Sequence, residues 1–104
     1  MEDEKMECYR QGDICLQRID KIPEGWKKTG TILKIQGEGG THAHLIEEVQ
    51  VFNLLSQQAL LPAVVKVSSK GGEVEHEEHL TLPLEEGIYR VTQFREYENP
   101  QPVD

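Results

Sequence analysis

The sequence predicts an all-β fold, a small antiparallel barrel or sandwich of about six to eight short strands with at most one short helix. Three observations predict it. Apolar and polar residues alternate along most of the chain, β-branched and aromatic residues concentrate in the alternating segments, and Gly and Pro separate these segments at short intervals. The 104 residues are the usual length of one domain.

Five segments show strand alternation clearly. In chain order they are "DICLQRI", "TGTILKIQGEGG" with its closing glycines, "AVVKV", "HLTLPL" and "GIYRVTQFREY", the last of which is identified by its β-branched and aromatic residues. Pro23 and Gly25 predict a turn after the first, and "KGG" predicts a hairpin after the third. Residues 1–8 form an acidic tail in this interpretation, residues 9–97 the β domain, and residues 98–104 an extended C-terminal tail.

Residues 47–61 fit two patterns. Apolar residues at helical spacing suit a helix, whereas "VQVFNL" alternates as a strand does. We favour a strand, a turn at "SQQA" and a second strand, with a single helix as the alternative.

The charge balance limits the classes of partner. There are 19 acidic and 11 basic residues, a net charge of −8, which disfavours binding to a phosphate backbone. No apolar run has the length of a membrane span, and the N-terminus lacks the apolar region of a signal peptide, so we expect a cytoplasmic location. Cys8 and Cys15 are interpreted as free thiols, since their spacing suits neither a metal site nor a redox motif.

The four histidines form two pairs, each beside carboxylates. His42 and His44 are two apart, so on a strand they project from one face and can converge on one ion. His76 and His79 are three apart and would face opposite sides of an ideal strand.

The strand parity of "EHEEHLTLPL" leaves two alternatives. The leucines share a face, which we interpret as the core, so His76 and Glu78 would point inward and need a metal or a hydrogen-bonded partner. A bulge at Glu77 and Glu78 would instead turn His79 inward.

These residues predict a site for a divalent metal, Zn, Fe, Mn or Ni, because imidazole and carboxylate ligands suit all four. The predicted ligands are His42, His44, His79 and Glu78, and His76, Glu48, Glu96 and Tyr97 are further or supporting candidates. An open coordination position would activate water or bind a small substrate, although no residue is predicted to be catalytic. The alternative is that "HAH" is an exposed loop and "EHEEH" a solvated edge strand.

The ordered motifs resemble those of a family of small uncharacterised bacterial and phage proteins. The motifs are Gln11–Gly12–Asp13, Gly37–Glu38 leading to His42 and His44, His76–Glu77–Glu78–His79, Leu82–Pro83 with Gly87, Tyr89 and Val91, Arg95–Glu96–Tyr97, and Asp104. The chain departs from this pattern at Thr41, at Phe94 and at Glu85–Glu86. The resemblance implies a fold and a set of motif residues but no activity.

A partial similarity to cupins covers their first metal motif. Gly37, His42, His44 and Glu48 approximate it, and the second cupin motif is absent. Two hypotheses follow from the sequence: a metal-binding β domain, or an acidic protein-interaction module without a metal, such as a phage-type inhibitor or a nucleic-acid mimic.

Overall fold

The computed structural model describes residues 8–37 and 42–94, which form eight antiparallel strands in a nearly closed barrel. The predictions for tail residues 1–7 and 98–104, and for Glu96 and Tyr97, lie outside these residues. The strands are β1 (Cys8–Gln11), β2 (Ile14–Ile19), β3 (Trp26–Gln36), β4 (Ala43–Leu54), β5 (Ala63–Val67), β6 (Gly72–Glu75), β7 (Leu82–Leu84) and β8 (Gly87–Gln93). The predicted all-β class is therefore confirmed, and no helix occurs in the described part of the chain.

The long strand β4 pairs with β6 along its first part and with β5 along its second part. The strand order is β1-β2-β8-β5-β4-β6-β7, and β3 pairs with β4. Residues Leu45 and Ile46 of β4 pair with β6, whereas residues 50–52 pair with β5. Glu48 lies between these two stretches with a φ of 60°, where the β3–β4 register also shifts. This bulge lets one strand serve both parts of the sheet.

The barrel core is built from the inward-facing apolar residues of seven strands. Tyr89, Ile14 and Leu16 are fully buried, and Leu33 and Ile35 place the second half of β3 in the same core. Burying each such side chain contributes about 1.5–3 kcal/mol. The predicted alternation of β2 is confirmed for Ile14 and Leu16, although Cys15 on the other face is also buried.

The described cysteines are both free. Cys8 is exposed and Cys15 is buried. Burial, together with the neighbouring Cys8 side chain, raises the pKa of the Cys15 thiol to about 11.

Residues 47–61 form a strand and a turn. β4 continues to Leu54, a turn follows, and β5 begins at Ala63, so the preferred prediction is confirmed and the single-helix alternative is wrong. Tertiary pairing explains the outcome, because β4 pairs with β3 along most of its length.

The hairpin predicted from "KGG" is wrong in its pairing. A tight turn does form, with the Gly71 N–H donating to the Ser68 carbonyl and Gly71 at a φ of 80°. The flanking strands β5 and β6 nevertheless both pair with β4, at different points along it. The turn therefore leads the chain from the part of β4 that pairs with β5 to the part that pairs with β6.

The strand predicted from "HLTLPL" is correct only in its second half. β7 spans Leu82–Leu84, with Leu84 buried, but Leu80 is 91% exposed and residues 76–81 are irregular. The leucine-face argument for His76 and Glu78 is therefore wrong, because it assumed a continuous strand. The described residues also contain no helix long and apolar enough to cross a membrane.

Candidate histidine site

The four histidines meet at one end of the barrel. The His76 ring centroid lies 4.4 Å from that of His44, 4.5 Å from that of His79 and 5.9 Å from that of His42. The rings of His44 and His79 are stacked with centroids 6.1 Å apart. The two pairs predicted from sequence thus form one group, which we call the histidine cluster, with His76 at its centre.

Two segments supply the cluster. His44 is on β4 and faces the interior, and His42 immediately precedes that strand. His76 and His79 belong to the irregular segment between β6 and β7. Because this segment leaves strand geometry, two histidines three residues apart both reach the cluster.

His44 is fully buried and is bound through both ring nitrogens. Its Nδ1 lies 2.7 Å from Gln11 Oε1, and its Nε2 lies 2.7 Å from Asp13 Oδ1. The Gln11 amide nitrogen donates to the carbonyl oxygens of Val74 and Leu80, at 2.8 and 2.9 Å, so the amide oxygen faces His44. Both ring nitrogens therefore meet acceptors, an arrangement that the imidazolium form satisfies.

Asp13 extends this network to the opposite side of the barrel end. Its Oδ2 accepts a hydrogen bond from Gln93 Nε2 at 2.9 Å, and the same Gln93 amide donates to the Gln36 carbonyl at 2.8 Å. The Asp13 carbonyl accepts from the Phe94 N–H. Through Gln11, His44 and Asp13, the network connects the β1–β2 turn with β3, β4, β6 and β8.

Gly12 makes room for His79. It adopts a φ of 58°, in the left-handed region that glycine favours, and a Cβ added there would lie 2.5 Å from His79 Nε2. The His79 ring therefore packs directly on the backbone of the β1–β2 turn. All three residues of "QGD" contact the histidine cluster.

His42 is on the solvent side of the cluster. Its Nδ1 lies 2.5 Å from Glu77 Oε1 and its Nε2 lies 3.1 Å from Glu78 Oε2. The side chains of Glu77 and Glu78 are 76% and 66% exposed, compared with 31% for His42. These contacts are in reach of water and are correspondingly weak.

His76 has the environment of a neutral imidazole. Its Nδ1 accepts the Glu78 N–H at 3.0 Å, so that nitrogen carries no proton in this arrangement. Burial lowers the pKa of His76, and the positive charges that His44, His79 and His42 can carry lower it further, against a smaller opposing effect of Glu78. The hydrogen bond and the electrostatics therefore favour the same protonation state.

The cluster does not present a preformed metal site. Among residues 8–37 and 42–94, no three His, Cys, Asp or Glu side chains are arranged so that they could hold one ion. Glu48 is exposed in the β4 bulge, four residues beyond His44. The structure thus brings together His42, His44, His76, His79 and Glu78, and their metal role stays a prediction.

Gln11 and Asp13 were not predicted as site residues. They were noted only as part of the "QGD" motif, and they lie 33 and 31 residues from their partner His44. The informative signal was the motif itself, two polar side chains flanking a glycine at the start of an apolar strand.

The fold and the cluster define a small β-barrel domain in which a buried histidine, His44, pairs with the partly buried carboxylate of Asp13 at one end. A family model described as a domain of unknown function, DUF8820, matches residues 10–93, and the chain belongs to this family. The match begins just before "QGD" and ends at Gln93, so it includes the whole described histidine cluster. No curated protein and no solved structure matches the chain.

Proposed function

We propose that the histidine cluster binds one divalent metal ion, with His42, His76 and His79 as the ligands and Glu77 or Glu78 as an additional carboxylate. His44, predicted from sequence as a ligand, takes a supporting role in this proposal because Gln11 and Asp13 occupy both of its nitrogens. Zn, Fe, Mn and Ni all suit such a set of ligands. An open coordination position would bind water or a small ligand.

The spacing of the rings is the observation that carries the proposal. Two imidazoles bound to one ion through nitrogens at about 2.0–2.1 Å have ring centroids about 5 Å apart. The centroids of His76 and His79 are 4.5 Å apart and those of His76 and His42 are 5.9 Å apart, on either side of that value. Rotation of the rings would bring the nitrogens of His76 towards those of His42 and His79.

The solvent-facing sides of His42 and His79 leave room for this rotation. His42 and His79 are solvent-accessible, and the carboxylates that contact His42 are mostly exposed. His76 Nδ1 is engaged by the Glu78 N–H, which leaves Nε2 as its metal-binding nitrogen. That nitrogen points towards Gly37, which has no side chain to obstruct an ion.

A metal titration of chelator-treated protein tests the proposal. Zn²⁺, Ni²⁺, Mn²⁺ or Fe²⁺ at a hundredfold excess over Kd should stabilise the folded state by about 2.7 kcal/mol, because the ion binds that state preferentially. This corresponds to several degrees in Tm for a domain of this size. Elemental analysis should give one ion per chain.

Variants distinguish the cluster from adventitious binding. Replacing His42 and His79 with Ala should abolish the shift, whereas E85Q together with E86Q, exposed and outside the cluster, should leave it unchanged. A Cys8→Ser background removes the exposed thiol as a competing zinc ligand. Absence of a shift with all four metals would overturn the proposal.

The second candidate is an acidic interaction module that uses no metal. The observation that favours it is the outer face of β6, where Glu73 and Glu75 are both exposed on a chain with a net charge of −8. The cupin likeness is a hypothesis that belongs to the metal-binding candidate. The inhibitor and nucleic-acid-mimic roles, and a bacterial or phage origin, are hypotheses that belong to the interaction module.

A further inference from the structure

A groove on the outer face of the sheet adjoins the histidine cluster. It encloses about 630 Å³ and runs over β3, β4 and β6. Its floor is apolar, with the half-buried side chain of Leu45, and His42 and His76 line one end. We call this space the outer groove.

The charges of the outer groove are separated onto opposite walls. Lys34 stands on the β3 side, and Glu73 and Glu75 stand on the β6 side. Lys34 is directly opposite Leu45 in the β3–β4 register, and Leu45 is directly opposite Glu75 in the β4–β6 register. Two strand spacings of about 4.8 Å place the backbones of the two walls about 10 Å apart.

These charges do not neutralise each other across the groove. Within the described residues, Lys34 forms no ion pair with Glu73 or Glu75. A ligand lying over Leu45 would therefore meet a cation on one side and two carboxylates on the other. Hydrogen bonds to charged groups of this kind are the stronger ones in proteins.

We infer that the outer groove binds a linear zwitterion of the ω-amino carboxylate class. The ammonium group would donate to Glu73 and Glu75, the carboxylate would accept from Lys34, and the aliphatic chain would cover Leu45. The length is part of the inference: the backbones of the two walls are about 10 Å apart, so a ligand that lies across Leu45 carries its two charges several bonds apart. This goes beyond the proposed metal function and needs no metal.

The test uses ε-aminocaproate with chelator-treated protein, followed by amide chemical shifts. Binding should move the signals of Lys34, Leu45 and Glu75. Hexylamine lacks the carboxylate and hexanoate lacks the ammonium group, so each should bind at least about tenfold more weakly, the effect of losing one charged hydrogen bond. Glycine, a zwitterion too short to span the walls, should leave these signals in place.

A charge-matched pair of variants provides the control. E73Q together with E75Q should weaken the binding of ε-aminocaproate at least about tenfold. E85Q together with E86Q makes the same change of charge away from the groove and should not weaken it. Lys34→Gln should remove the preference for ε-aminocaproate over hexylamine.

Several outcomes would overturn the inference. Equal binding of hexylamine would show a site for cations alone, and equal binding of hexanoate would show apolar adsorption. Unmoved groove signals at millimolar ε-aminocaproate would show that the groove takes no such ligand. Because the titration is done without metal, its result is independent of the outcome of the metal titration.

Discussion

His42 and His44 belong to one short motif, but only His44 is built into the interior. His44 is fully buried between Gln11 and Asp13, whereas the His42 side chain is 31% exposed and contacts two solvent-accessible carboxylates. An ion pair of this kind contributes little net stability, but losing one partner leaves the charge of the other poorly compensated. The two histidines should therefore respond differently to the same substitution.

We predict that His44→Ala lowers the free energy of unfolding by about 3–5 kcal/mol, because Asp13 loses its buried partner. His42→Ala is the matched control and should cost about 0–1 kcal/mol, since its pairs are exposed. Urea unfolding of both variants measures the difference. Similar losses for the two would contradict the arrangement of the network.

His76 makes stability depend on pH. Its pKa in the folded state is lowered below the ordinary 6.5, chiefly by burial, with the positive charges of neighbouring histidines adding to the effect. Below pH 6.5 the unfolded chain takes up a proton at His76 that the folded protein binds less readily. The free energy of unfolding should therefore fall with acidification from 6.5 towards the lowered pKa, while the contribution of His76 is fully present above 6.5.

The prediction is that His76→Asn reduces this acid destabilisation. The Asn side chain keeps an acceptor near the Glu78 N–H but does not titrate. Urea unfolding of both proteins at several values of pH on either side of 6.5 measures the effect. If the variant and the parent lose stability equally on acidification, His76 is not the group responsible.

At the scale of the elements, β1 and β7 mark the seam of the barrel. The two strands approach each other, but the described strand pairings include no ladder between them. Gln11, at the end of β1, donates instead to the carbonyls of Val74 on β6 and Leu80 just before β7. The Gln11 side chain thus supplies hydrogen bonds across the seam, where backbone pairing supplies them elsewhere in the sheet.

Gln11→Ala should therefore loosen this seam. Each buried group left unpaired costs about 1–3 kcal/mol, and the His44 Nδ1 and two carbonyls lose their partner. Hydrogen exchange should become faster at the amides of β7, whose described ladder is with β6 alone, and stay unchanged in β8, which is paired on both sides. Gln50→Ala, an exposed position on β4, is the control, and uniform acceleration in both variants would contradict a role at the seam.

The same elements show which features could be predicted from the sequence. β2 and β5 follow from local alternation and β8 from its β-branched and aromatic residues, because each buries a face against one core. The irregular segment 76–81 could not be predicted, because its Leu80 carbonyl is held by a side chain 69 residues away. The roles of Gln11 and Asp13 were missed for the same reason: they depend on long-range contacts with His44.

At the scale of the whole molecule, the excess of negative charge acts on every element at once. The chain carries 19 acidic and 11 basic residues, and its described ion pairs are few and mostly exposed. Repulsion among like charges destabilises a compact state more than an expanded one. Salt screens this repulsion, because the Debye length falls from about 30 Å at 0.01 M to about 8 Å at 0.15 M.

We therefore predict that Tm rises when NaCl is increased from about 0.01 M to about 0.15 M. The pair of buried His44 and partly buried Asp13 works against this trend only weakly, because screening reaches such charges less than exposed ones. The double variant E24Q and E47Q removes two exposed negative charges and should begin at a higher Tm in low salt and rise less. Thermal unfolding followed by circular dichroism measures both effects. A Tm that falls with salt in the parent protein would mean that favourable exposed ion pairs outweigh the net repulsion.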